Sequence, residues 1–293
     1  MNAAIDDLPQ PRMIDLPNRG GAVAACEFGP RDRPIDVIFS HANGFNGRTY
    51  RSILAPLGDT LRILAIDLRG HGATTIPARI EGREGWPEFR DDLRALLAAV
   101  AERPVVLAGH SMGGTSSLLA AAAEPERVKA LALFDPVVMP SGVTTDAEAM
   151  KHNPLAVGAQ RRRATFPSKA AVVEAYRDRG AFITWTEDQL VDYVAAGFRG
   201  TEAGEVTLTC APDWEASNFR THNYDAWDAF LGSRCPIRVL RAEVASTFRL
   251  EGREHELAAT GRIAIETVPG TSHFLPMERP DLVRKTLTEV VAL

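Results

Sequence analysis

Six short apolar runs, separated by stretches with helical spacing, constrain this chain more than any other feature of its sequence. They are Asp36–Ser40, Arg62–Ile66, Val105–Ala108, Ala130–Phe134, Ile237–Leu240 and Ile263–Ile265. Runs this continuous suit parallel strands covered on both faces rather than half-exposed strands, which alternate. The intervening pattern agrees. Phe89, Leu93, Leu96, Leu97 and Val100 recur on one helical face, and Pro87 can open that helix. Thr115–Ala123 is small and apolar enough for a buried helix. The expectation is an α/β fold with a mostly parallel central sheet and helices on both of its faces.

The alternation stops between 137 and 224. Polar, helix-prone stretches such as Lys169–Asp178 and Glu187–Ala196 follow, with no clear strand. Phe166, Tyr176, Phe182, Trp185, Tyr193, Phe198, Trp214 and Phe219 concentrate here. This predicts a core formed by 1–136 and 225–293, interrupted by an inserted helical lid over 137–224. Most of its aromatics are read as the lid's own small core.

"GHSMG", residues 109–113, falls where the strand at Val105 should become the helix at Thr115. A turn that sharp forces its middle residue into a strained backbone, so small residues must flank it. Gly109 and Gly113 supply the space. The Ser111 hydroxyl then projects above the carboxyl end of the strand, where ligands bind in open α/β sheets. The Met112 N–H, at the helix start, faces a developing oxyanion.

Three further stretches accompany it in order: "SHANGFNG" (Ser40–Gly47), "DLRGHG" (Asp67–Gly72) and "VPGTSHFLPMERP" (Val268–Pro280). With "GHSMGG" between the second and third, the chain resembles the α/β-hydrolase fold family over nearly its whole length. The likeness is to a serine-nucleophile member with a helical cap. It implies that the loop after the third strand supplies a second oxyanion donor, the backbone N–H of Asn43. It also implies that His273 is the general base. Of the seven histidines, His273 alone combines imidazole chemistry with a position beyond a strand's carboxyl end. His41 and His71 read as shapers of turns, His110 as pointing away from the serine, and His222 as able to reach the cleft from the lid.

The acid departs from the family pattern. Where an aspartate follows the penultimate strand in most members, this chain has Ala245, Ser246 and Thr247. Asp135, at the end of the preceding strand, is the first candidate, because some relatives carry their acid there. Glu243 is the alternative, and a third reading has no acid at all. Phe45, Phe274 and Trp185 are expected to give the substrate pocket apolar walls.

Composition narrows the function further. A net charge of −5, with Arg161–Arg163 the densest positive cluster and read as a solvated face, argues against a nucleic-acid partner. No apolar stretch is long enough to span a bilayer, and the acidic, proline-containing start does not read as a signal peptide, so a cytoplasmic location is expected. Three separated cysteines suggest neither a disulfide framework nor a zinc site. No metal-binding motif or phosphate loop is present, so no metal or other cofactor is expected. A monomer and a homo-oligomer are both left open. The functional expectation is a serine hydrolase of a small or medium ester, lactone or thioester, acting on a small-molecule substrate through an acyl-enzyme at Ser111. The alternatives are a cofactor-free carbon–carbon hydrolase or lyase on the same triad, or a slow-turnover small-molecule sensor with a degenerate acid position.

Overall fold

Val37–Ser40 (β3), Ile63–Ile66 (β4) and Val105–His110 (β5) are buried at every residue, as their unbroken apolar sequences require. They form the middle of an eight-stranded sheet in the computed structural model, which describes residues 11–139, 150, 152–221 and 224–293. Val128–Phe134 (β6), Ile237–Ala242 (β10) and Ile263–Val268 (β11) complete the parallel part, so each of the six expected runs supplies a strand, with Asp36 and Arg62 just outside theirs. With Arg12–Leu16 as β1 and Gly21–Phe28 as β2, the order is β1-β2-β4-β3-β5-β6-β10-β11. Two strands lie outside the expectation: Arg12–Leu16 (β1) and Gly21–Phe28 (β2) form an antiparallel edge. β1 alternates exposed and buried residues, a five-residue signal too brief to stand out in the sequence.

Successive side chains of a strand point to opposite faces, and here both faces are covered. Ile38 joins one apolar cluster with Phe89, Leu93 and Leu97 of helix α1 (Pro87–Val100), Leu118 of helix α2 (Met112–Ala123) and Phe230. Val37 and Phe39 join the other, with Val283, Leu287 and Val290 of the C-terminal helix Pro280–Ala292. Each fully buried Ile, Leu or Phe contributes about 1.5–3 kcal/mol relative to an exposed one. β3 has β4 on one side and β5 on the other, so the chain reverses direction across the sheet at this point. The carboxyl ends of β3 and β5 therefore flank a crevice.

The segment 152–221, between β6 and β10, carries α3 (Pro154–Gln160), α4 (Lys169–Tyr176), α5 (Glu187–Gly197) and α6 (Pro212–Arg220). It is not purely helical. Thr165–Phe166 (β7), Phe198–Gly200 (β8) and Val206–Leu208 (β9) form a three-stranded antiparallel sheet, correcting the expectation of a helical lid without strands. Strands of two or three residues are too short to show a period of two, and only the Thr201–Glu205 turn could have marked them. The boundaries expected at 137 and 224 enclose residues outside the described ones, and His222 is among those.

This cap is fastened to the core along two helices. From α5, Asp192 Oδ1 lies 2.5 Å from Arg51 Nε, and Gln189 Nε2 donates to the Met277 carbonyl at 3.1 Å. From α6, Trp214 Nε1 donates to the Arg69 carbonyl at 3.0 Å, while Arg83 donates to Ser217 Oγ and Asn218 Oδ1.

Candidate active site

Ser111 joins β5 to α2 with φ 55° and ψ −123°, a conformation that a side chain strongly disfavours. Holding it costs of order 1–3 kcal/mol, which the surrounding packing must supply. The packing is tight. A Cβ on Gly109 would meet the Gly113 carbonyl carbon at 2.5 Å, and one on Gly113 would meet the Ser40 carbonyl oxygen at 2.3 Å. Glycine is therefore required at both positions, which is the steric content of the motif. The turn is closed by hydrogen bonds from Ser111 N–H to the Phe134 carbonyl, 3.1 Å, and from Thr115 N–H to the Ser111 carbonyl, also 3.1 Å.

His273 follows β11, and its Nε2 lies 2.9 Å from Ser111 Oγ. Its Nδ1 lies 2.6 Å from Asp135 Oδ2. A carboxylate can only accept, so Nδ1 carries the hydrogen and Nε2 offers a lone pair to the serine hydroxyl. The loop under His273 is held by Glu278, which accepts from the Ser272 N–H at 2.7 Å and from its hydroxyl at 2.6 Å.

Of the two carboxylates read from the sequence, the structure brings Asp135 to His273 and leaves Glu243 away from it. Glu243 is exposed and accepts the Gly270 N–H at 2.8 Å. Asp135 is fully buried directly after β6. Its Oδ1 accepts from Ala242 N–H, 2.9 Å, and Ser246 Oγ, 2.5 Å; its Oδ2 accepts from Thr247 N–H, 3.0 Å. The residues found where an aspartate was expected thus solvate the aspartate of the neighbouring strand. Burial works to raise the Asp135 carboxyl, but the hydrogen bonds from His273, Ser246 and Ala242 outweigh it and hold it below the ordinary carboxylate value.

Asn43 and Met112 both line the cavity above Ser111. Their amides have no acceptor among the described residues. A pair of unpaired N–H groups beside a nucleophile is what an oxyanion needs. The Asn43 side chain does not cap its own turn: Nδ2 donates to the Glu215 carbonyl at 3.0 Å, and Oδ1 accepts from Asn218 Nδ2 at 2.8 Å. It ties the loop after β3 to cap helix α6.

Sequence reasoning did not find the support beneath these loops. Ala42 N–H donates to Tyr50 Oη, 3.2 Å; Tyr50 Oη lies 2.8 Å from His110 Nδ1; His110 Nε2 lies 2.7 Å from the His273 carbonyl. The carbonyl can only accept, so Nε2 carries the hydrogen and Nδ1 accepts from Tyr50. Burial, then the charge of His273, lowers His110 to about 3, which keeps it neutral in this chain of bonds. Tyr50 follows β3, His110 ends β5 and His273 follows β11, so no local sequence pattern links them. His41 and His71 sit in turns, as expected: His41 Nε2 accepts Leu68 N–H at 2.9 Å, and His71 Nε2 accepts Gly44 N–H at 3.1 Å.

The cavity above Ser111 has a volume of about 920 Å³ and lies between core and cap, open on one side. Phe45 and Phe274 line it, their rings stacked 6.3 Å apart. Trp185 does not line it; its ring lies behind, 5.3 Å from Phe45 and 4.9 Å from Phe182. Tyr176, Phe182, Tyr193 and Phe219, read as the cap's own core, contribute to the wall. Arg162 and Arg163, read as a solvated face, line it as well. Among the described residues no group of three or more His, Cys, Asp or Glu is arranged to hold a metal ion, and no helix is long and apolar enough to cross a membrane.

Residues 37–286 match the alpha/beta hydrolase family. The 2-(acetamidomethylene)succinate hydrolase of Mesorhizobium japonicum is 25% identical over 259 residues, covering 87% of each chain. An esterase of Mycobacterium tuberculosis is 30% identical over 159 residues, 53% of this chain and 50% of that protein. Among solved structures, an E-2-(acetamidomethylene)succinate hydrolase superposes with a TM-score of 0.80 at 21% identity, covering 97% of this chain and 99% of that one. The enol-lactonase from Burkholderia xenovorans superposes with a TM-score of 0.66 at 19% identity, covering 94% and 98%. Likenesses at that level of identity speak to the fold.

Proposed function

From the premise that this chain belongs to the alpha/beta hydrolase family, we propose that it is a serine hydrolase of a small or medium carboxylic ester, lactone or thioester. The observation that carries the reading is the unbroken line from Ser111 Oγ through His273 to Asp135, with contacts of 2.9 and 2.6 Å. His273 Nε2 takes the serine proton as Oγ attacks the carbonyl carbon. The oxyanion is received by the amides of Asn43 and Met112, and Asp135 stabilises the imidazolium. His273 then gives its proton to the departing oxygen or sulfur, leaving an acyl group on Ser111. Water, deprotonated by the same histidine, attacks the acyl carbon and releases the acid and the free serine.

The names of the relatives, a 2-(acetamidomethylene)succinate hydrolase and an esterase, support hydrolysis. The sensor alternative rested on an empty acid position, and the contact of Asp135 with His273 supports the hydrolase reading over it.

The test is release of p-nitrophenol from p-nitrophenyl acetate, butyrate and octanoate, together with labelling by a fluorophosphonate probe read by mass spectrometry. Wild type is expected to turn over at least one ester and to take up one probe at Ser111, and Ser111→Ala to do neither. Equal background turnover by both, with no labelling of wild type, would sink the reading.

A further inference from the structure

The charge of the cavity runs against that of the chain. The protein has a formal net charge of −5, yet Arg162, Arg163, Arg179 and Arg249 line the cavity against, among the described residues, a single carboxylate, Glu215. That carboxylate is already engaged: Glu215 Oε2 lies 2.5 Å from Arg162 Nη1, and the same guanidinium donates to Tyr193 Oη at 2.6 Å. Arg163, Arg179 and Arg249 are left, all exposed. None has an acidic partner among the described residues, whereas most of the other described arginines sit in ion pairs, as Arg51 does with Asp192 and Arg69 with Asp92.

The three come from separate segments. Arg163 follows α3, its Nε donating to the Thr165 carbonyl at 2.9 Å and its guanidinium lying 4.3 Å from the centre of the Phe166 ring. Arg179 lies in the cap between α4 and the turn Gly180–Phe182. Arg249 belongs to the core, where its N–H donates to the Val138 carbonyl at 3.0 Å. Core and cap thus bring like charges toward one apolar-walled space. Low-dielectric walls strengthen their mutual repulsion, and equally strengthen the pull on an anion that enters.

We infer that the substrate carries an anionic group, a carboxylate or phosphate, away from its scissile carbonyl, and that Arg179 and Arg249 hold it with Arg163 beside them. This rests on the hydrolase reading for the word substrate, though not for the binding itself. Guanidinium forks match carboxylate and phosphate oxygens in pairs, and apolar walls select what joins the anion to the ester.

Binding can be measured apart from turnover. Isothermal titration of Ser111→Ala is made with adipate, hexyl phosphate and neutral adipamide. At least one anion is expected to bind about tenfold or more tighter than adipamide at low salt. Arg179→Gln with Arg249→Gln should remove most of that advantage without lowering the melting temperature, since both side chains are exposed. Which anion binds better tells carboxylate from phosphate. Equal binding of all three probes, or an advantage that survives both the double substitution and about 0.5 M NaCl, overturns the inference. In wild type, the p-nitrophenyl monoester of adipic acid should show a lower KM than p-nitrophenyl hexanoate. Turnover of hexanoate with no anion advantage in either assay leaves the hydrolase standing and the anion site refuted. Anion binding without turnover of any ester does the reverse.

Discussion

Asp135 has a left-handed backbone, φ 42°, at the point where β6 ends. Its N–H donates to the Leu240 carbonyl of β10 at 2.8 Å, so its carboxylate is turned across the sheet toward the loop after that strand. Acids at the ends of β6 and β10 can thus serve one histidine, because the two strands are neighbours. The expected outcome is a loss of about 10³–10⁴ in kcat for Asp135→Asn, through the lost tautomer and imidazolium support, with substrate binding nearly unchanged. Glu243→Gln should stay within about twofold of wild type, since its carboxylate only holds the Gly270 amide. Steady-state kinetics on one ester checks both, and the opposite ranking would move the acid to Glu243. Ser111 and His273 were legible because contiguous motifs carry them. Asp135 was legible only as one of two candidates, because strand adjacency does not appear in sequence spacing. Trp185 was misplaced for a similar reason: an aromatic near the site does not reveal whether it forms the wall or backs it.

At the scale of elements, the cap behaves as a fastened roof, and its fastenings are polar. The Asp192 side chain is wholly buried and depends on Arg51, with Arg48 Nε farther off at 4.0 Å. Burial raises the Asp192 carboxyl even against these cations. Arg51→Ala is expected to cost about 2 kcal/mol, because it leaves a buried carboxylate with a poor partner. Adding Asp192→Asn should recover part of that loss by removing the unpaired charge. Urea unfolding of the two variants measures this, and a recovery of zero would mean the carboxylate finds another partner. The sequence announced the cap through its break in strand rhythm and its helices α4 and α5. It did not announce the small sheet, nor the bonds from Asn43, Asn46 and Arg83 that fasten it, since those join residues far apart in the chain.

For the molecule as a whole, the buried histidines set the response to acid. His41, His71 and His110 each accept a hydrogen bond at a ring lone pair that protonation would abolish. Burial is the main cause that lowers all three, His71 to about 4 and His110 to about 3, from an ordinary 6.5. Between pH 6.5 and 4 the unfolded chain therefore binds more protons than the folded one, and stability falls as pH falls. Asp67, raised to about 6 by burial, acts in the opposite sense, holding in the fold a proton that the unfolded chain releases. Asp192, also raised by burial, acts in the same sense as Asp67, and the three histidines outweigh the two carboxyls. His71 alone should remove about 2 kcal/mol between pH 7 and about pH 4.5. The urea midpoint should drop accordingly, and a flat profile would show that the buried rings titrate normally. The parallel strands were legible from six apolar runs, yet their order and this acid response were not, because strand adjacency and the burial of a histidine are properties of the finished fold. The bonds running from Ala42 through Tyr50 and His110 to the His273 carbonyl have one more consequence. They join the loops after β3 and β11 to the end of β5, so neither loop can open to solvent without releasing the other. The hydrogen-bonded amides here, those of Ala42 and Ser111, should exchange their hydrogens as slowly as those of the central strands, which makes the site part of the last unit to melt.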